Sequence, residues 1–147
     1  MSRFIIDTEE TIELLGIGSS IPAYRLAWMF NRFLDTRLIK VQDFVLEPEL
    51  VSSKPGLFNQ AVEQHRYQRY EYLTEDGGMA LISNRGQGRP LLKEAEGFDF
   101  LICVDIPGWT LDRLESSLVN WADIVLIRRL KVILDFPEED PFCNCYS

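Results

Sequence analysis

The chain has 147 residues, 46% hydrophobic and 12% aromatic, with 23 acidic against 15 basic residues and a formal charge of −8. This length suits one domain whose core needs no disulfide or metal staple, and the composition excludes a disordered chain. The negative field disfavours phosphate backbones and anionic membranes, because the best basic run, Arg128-Arg129-Lys131, is short and lies inside an apolar segment.

The first residues, MSRFIIDTEE, carry a brief apolar run that gives way to acids, so no export signal is expected. No apolar run approaches the roughly 18 residues of a membrane span. Cys103, Cys143 and Cys145 do not make a disulfide framework, and a cytoplasmic location is the expectation.

TIELLGIGSS (11–20) reads as a short strand followed by helix-start chemistry. Ser20 is placed to cap the free amides, and Pro22 suits the first turn because it has no N–H to lose. The stretch SIPAYRLAWMFNRFL (20–34) then predicts a helix running to about Asp35. Leu26, Phe30 and Leu34 stack at intervals of four, Met29 and Phe33 broaden that side, and Ala27 allows close packing. Arg25 and Arg32 mark a narrow solvent face. A helix apolar over most of its circumference is normally buried, so the aromatic crowding predicts core, with Leu26, Phe30 and Phe33 all inside.

RLIKVQDFVLEP (37–48) predicts a strand ended by Pro48, and residues 48–60 a loop. RYQRYEYLTEDGGMALISNRG (66–86) predicts two strands around Asp76-Gly77-Gly78, a hairpin signal because glycine tolerates positive φ. GQGRP (86–90) is a further turn. FDFLICVDI (98–106) is a near-continuous apolar run, expected of a strand covered on both faces. A second helix follows, with Thr110 as N-cap, Asp112 near its positive end, and Leu111, Leu114, Leu118 and Trp121 as its stripe. DIVLIRRLKVILDF (123–136) returns as a strand, with a bulge or break expected at Arg128-Arg129.

The order β-α-β-β-β-β-α-β predicts an α+β fold: one domain over residues 1–136, two layers, a mixed and mostly antiparallel sheet, and both helices on one face. Residues 137–147, PEEDPFCNCYS, are expected to form an acidic, loose tail.

Two patches carry a family resemblance. YRLAWMFN (24–31) is similar to a helix with a tyrosine-arginine-leucine…asparagine pattern. LKEAEGFDF (92–100) is similar to a motif in which Leu92 stands for isoleucine, Glu94 is kept, Phe98 stands for valine, Asp99 is kept and Phe100 stands for tyrosine, while Lys93 replaces the proline. The chain thereby resembles the IPExxxVDY family of small, mostly uncharacterised bacterial proteins. The resemblance implies a shared fold over most of the chain and picks out Tyr24, Arg25, Leu26, Asn31, Glu94 and Asp99. It implies no catalytic residue and no cofactor.

Several constellations invite chemistry. Gly16-Ile17-Gly18-Ser19-Ser20 sits between strand and helix, where free amides could hold a phosphate, but it lacks the third glycine of a dinucleotide fingerprint and the lysine of a P-loop. Tyr24, Trp28, Asn31 and Asp35 fall along one helix edge and could line a cleft; packing for the aromatics and loop hydrogen bonds for Asn31 and Asp35 are the plainer expectation. Asp99 and Asp105 share a strand face but stand about 20 Å apart, too far to act as a pair. Asp105 ends its strand before a helix, a common ligand position, although turn duty is commoner. His65 is the single histidine, so neither a zinc site with Cys143 and Cys145 nor a histidine-based nucleophilic triad is supported. HRYQRYEY (65–72) interleaves basic and aromatic groups as single-strand binders do. However, Tyr70 and Tyr72 would face away from Tyr67 and Arg69, so sheet packing is expected.

Two functions follow. The first is a non-enzymatic interaction or adaptor-like module, forming a two-fold homodimer or binding another protein, with no nucleic acid, membrane, metal or cofactor. The second is a small-molecule or nucleotide-binding protein or enzyme using Gly18, Ser19, Ser20, Tyr24, Trp28, Asn31 and Asp105. The second requires those groups to converge in space.

Overall fold

The computed structural model describes residues 11–46, 65–86, 89–133 and 141–142. Six strands, β1 (Thr11–Gly18), β2 (Ile39–Leu46), β3 (His65–Thr74), β4 (Gly77–Ser83), β5 (Phe100–Asp105) and β6 (Leu126–Ile133), form one sheet ordered β2-β3-β4-β5-β1-β6. Helix α1 (Ala23–Phe33) follows β1, and α2 (Leu111–Leu118) follows β5. The expected order β-α-β-β-β-β-α-β and the single-domain α+β class are observed. Every strand pairing among the described residues is antiparallel, so the parallel component of a mixed sheet does not appear there.

The burial of the strands follows from their side chains. GGMALIS (β4) and FLICVD (β5) are nearly continuous apolar runs and occupy central positions. On one face, Leu15, Ile17, Leu81 and Ile102 pack under Leu26, Ala27 and Phe30 of α1 and under Leu114 and Leu118 of α2. Both helices therefore cover the same face. On the other face, Leu14, Tyr67, Ala80, Ile82 and Leu101 lie under Leu91, Leu92, Ala95 and Phe98, a segment containing a single 3₁₀ turn at Lys93–Ala95.

Asn84 holds that segment in place. Its buried side-chain amide donates to the carbonyls of Ala95 (2.7 Å) and Phe98 (3.1 Å), and its Oδ1 accepts the Leu92 N–H at 2.9 Å. Gly16 lets the segment approach: a Cβ there would lie 2.8 Å from the Phe98 ring. Phe142 is fully buried in the same cluster, so the stretch expected to be a loose tail is anchored in the core at that residue. The other expected tail residues, including Cys143 and Cys145, lie outside the described residues, as does the 48–60 loop.

Local expectations fare unevenly. Thr110 caps α2 by accepting the Arg113 N–H at 3.1 Å, with Asp112 in the first turn. β6 pairs with β1 in continuous register from Leu126 to Ile133, so no bulge or break occurs at Arg128-Arg129. Full pairing to β1 offsets the cost of the two charged residues, whose positions remain exposed at the sheet margin. Ser20 does not cap α1: the N-cap is Pro22, and no side chain accepts there. Ser19, one residue earlier, instead receives the Ile21 N–H on its hydroxyl. α1 ends at Phe33, and Asp35 takes a left-handed conformation (φ 59°) that breaks the helix.

The largest correction concerns α1. Leu26 and Phe30 are fully buried as expected, but Phe33 is 59% exposed, Tyr24 67% and Trp28 53%. A helix lying on one flat sheet buries only the stripe that faces it, here Ala23, Leu26, Ala27, Met29 and Phe30. No second layer covers the far side of α1 among the described residues, so its other aromatics meet solvent.

Candidate functional site

The glycine-serine turn after β1 is explained by packing. An added Cβ at Gly18 would fall 2.9 Å from Leu126 of β6, so the glycine permits close approach of the neighbouring strand. Ser19 is buried; its N–H donates to Asp99 Oδ2 (2.7 Å) and its hydroxyl to the Asp123 carbonyl (2.6 Å). The Ser19 carbonyl accepts from Arg85 Nη2 at 2.6 Å, and Arg85 Nε pairs with Asp99 Oδ1 at 2.5 Å. The internal carboxylate of Asp99 thus occupies the amide that a phosphate would use. Ser20 is exposed and borders an open cleft of about 450 Å³ shared with Pro22, Arg66 and Arg85.

Asn31 is a clamp. Its Oδ1 accepts from the Leu38 N–H (2.7 Å) and the Thr36 hydroxyl (2.8 Å), and its amide donates to the Leu38 carbonyl (3.0 Å). These bonds fold the chain from α1 back into β2, as the loop-bonding expectation for Asn31 required. Asp35 borders a separate cleft of about 590 Å³ with Arg37, Ile39 and Glu71. That cleft contains none of Tyr24, Trp28 or Asn31.

Asp105 stands at the far end of the sheet from Ser19. Phe100 is opposite Ile17 in the β1–β5 register, and five residues of strand from Phe100 to Asp105 span about 17 Å. Its side chain is exposed, while its backbone receives the hairpin: a Cβ on Gly77 (φ 152°) would collide with the Asp105 carbonyl. The groups required for a small-molecule site therefore do not converge. Among the described residues, no cluster of three or more His, Cys, Asp or Glu is placed to hold a metal ion.

The residues picked out by the family resemblance divide into two sets. Leu26 is buried in the core, while Asn31 and Asp99 are half-buried tethers. Tyr24, Arg25 and Glu94 are exposed, the last on the 3₁₀ turn. HRYQRYEY is packed within the sheet as expected: Tyr67 belongs to the core on one face, whereas Tyr70 and Tyr72 contribute to the other.

What remains as a surface of unusual chemistry is the outward side of α1. Phe30, in the core, meets the Trp121 ring edge-on at 5.7 Å. Trp121 meets Phe33 at 5.8 Å, and Phe33 meets Trp28 at 6.3 Å. A ladder of aromatic rings thus runs from the core out to water, and its last members are more than half exposed. Arg25 and Arg32 flank it on the same helix, and Tyr24 lies one turn before Trp28. Sequence periodicity assigned these rings to a core because it registers apolarity without showing which side of the helix has a neighbour.

No protein-family model, curated protein or solved structure matches the chain. Among the described residues, no helix is long and apolar enough to cross a membrane.

Proposed function

We propose that the chain is a non-enzymatic, cytoplasmic protein-interaction module of adaptor-like character, and that the outward side of α1 is its binding face. One observation carries this reading: Tyr24, Trp28 and Phe33 are 67%, 53% and 59% exposed on one short helix. Large rings left in water sacrifice most of their burial free energy, whereas Trp, Tyr and Arg dominate the energetics of protein interfaces. The ring ladder to Phe30 also gives Phe33 and Trp28 aromatic neighbours within the chain, and such contacts reduce the ordering cost of binding. Resemblance to the IPExxxVDY family belongs to the same proposal, and Tyr24 and Arg25 are the resemblance residues that lie on this face.

The test compares proteins retained from the native host by the wild type and by a Trp28→Asp/Phe33→Asp variant of equal melting temperature. A discrete partner held by the first and lost by the second is expected. Identical retention by both overturns the assignment to α1.

The interaction-module reading also allowed a two-fold homodimer, and the end strands β2 and β6 are its natural route. Both strands bear features that discourage edge pairing. β6 carries exposed Arg128, Arg129 and Lys131, and the β2–β3 register shifts between Val41 and Phe44. A heterologous partner on α1 is accordingly preferred.

A further inference from the structure

We propose that the outward face of α1 docks an acidic peptide segment of a partner protein, one carrying an aromatic or aliphatic anchor. This rests on the reading that the face is an interaction surface, and it adds the chemistry of what binds there.

Charge carries the inference. The chain has a formal charge of −8, yet α1 (AYRLAWMFNRF) contains two arginines and no acid. Arg25, Trp28 and Arg32 stand at spacings of three and four residues, so they fall on one line about 10 Å long. Tyr24 and Phe33 widen that line into a patch. Arg85 and Arg129 are neutralised by Asp99 and by Asp112 and Glu115, but no ion pair among the described residues engages Arg25 or Arg32. Among the described residues, the acidic chain thus presents two guanidinium groups without an ion-pair partner on either side of an exposed indole. Carboxylates complement the guanidinium groups, and an apolar anchor between them complements Trp28 and Phe33.

The same charges argue against other occupants. In a two-fold pairing of α1 with its copy about Trp28, Arg25 would oppose Arg32 with no acid on either helix. For a nucleic acid, two arginines must act against the net negative field of the whole molecule.

A random peptide library displayed on phage, selected against the immobilised full chain, tests the proposal. Enriched peptides should combine Asp or Glu with an aromatic or aliphatic residue. A synthetic representative should lose at least about ten-fold in affinity with the Arg25→Glu/Arg32→Glu variant, and similarly with Trp28→Ala. Its binding to the wild type should weaken as salt rises from about 50 to about 500 mM, a readout that needs no variant. Enriched peptides that depend on Trp28 but lack acidic residues, or bind the charge-reversed protein equally well, overturn the acidic partner while the interaction surface stands. Failure to enrich any Trp28-dependent peptide overturns both. Tighter binding of a single-stranded RNA of about 20 nucleotides, or of phosphatidylserine vesicles, with loss in the charge-reversed variant, also overturns the proposal and assigns the face to phosphates.

Discussion

Phe30 and Trp28 lie two positions apart on α1, and the helical turn sends one to the sheet and the other to water. Phe30→Ala is expected to cost about 3–5 kcal/mol in denaturant melts, from lost transfer energy and the cavity left behind. Trp28→Ala should cost less than about 1 kcal/mol, because its exposed ring gives up little burial. Comparable losses in the two variants would contradict this division of the helix. Asn84 illustrates a residue that sequence reading passed over. Its position in SNRG signals only a turn, yet three buried hydrogen bonds converge on it. Asn84→Ala leaves two carbonyls and one N–H without that partner and should cost roughly 2–4 kcal/mol, measured by urea unfolding. Tyr67 and Tyr70 make stability depend on alkaline pH. Burial raises the pKa of both above 10.0; Arg89 opposes the rise at Tyr67, and Lys40 opposes it at Tyr70 while Asp43 adds to it. The folded state therefore retains protons that the unfolded chain releases. This contribution is complete below about pH 10 and is lost as pH climbs through the folded values, so unfolding midpoints should fall above about pH 10. A Tyr67→Phe/Tyr70→Phe variant should show a shallower fall; an identical slope would refute the assignment.

At the scale of elements, the strand ends are joined by polar side chains whose sequence positions only partly announced them. Asp99 precedes β5, yet it binds the turn after β1 through the Ser19 N–H and the turn after β4 through Arg85. Asp99→Ala should destabilise by about 1–3 kcal/mol, with the partial exposure of the ion pair reducing its share. A double-mutant cycle with Arg85→Ala should then give positive coupling. Strict additivity would show that the two side chains act separately. The hairpin β3–β4 was legible because Gly77 is required both by its φ of 152° and by the approach of Asp105. The absence of a break in β6 was not, because charged residues within an apolar run look alike in a bulge and on an exposed sheet margin.

For the molecule as a whole, both faces of the sheet are packed, one by two helices and the other by residues 91–98 with Phe142. Much of the apolar surface that a homodimer could otherwise cover is thus absorbed within the chain. Its exposed remainder includes the α1 patch, where like charges oppose self-pairing. Sedimentation equilibrium at micromolar concentration should give a monomer mass, and a dimer mass would return the end strands to consideration.

The sequence by itself determined the order of elements, the α+β class, the central position of β5 and the caps and turns of α2 and the β3–β4 hairpin. Those features depend on local periodicity and on local chemistry such as the Thr110 cap and the positive φ that Gly77 supplies to its turn. Tertiary structure alone decided that Gly16 and Gly18 serve packing and that Asp99 fills the turn after β1. It also placed Asp105 at the opposite end of the sheet and left Trp28 and Phe33 in water. Each of these depends on a neighbour distant in the chain. A side chain's own chemistry fixes what it can bind, but the packing of remote segments fixes what it meets.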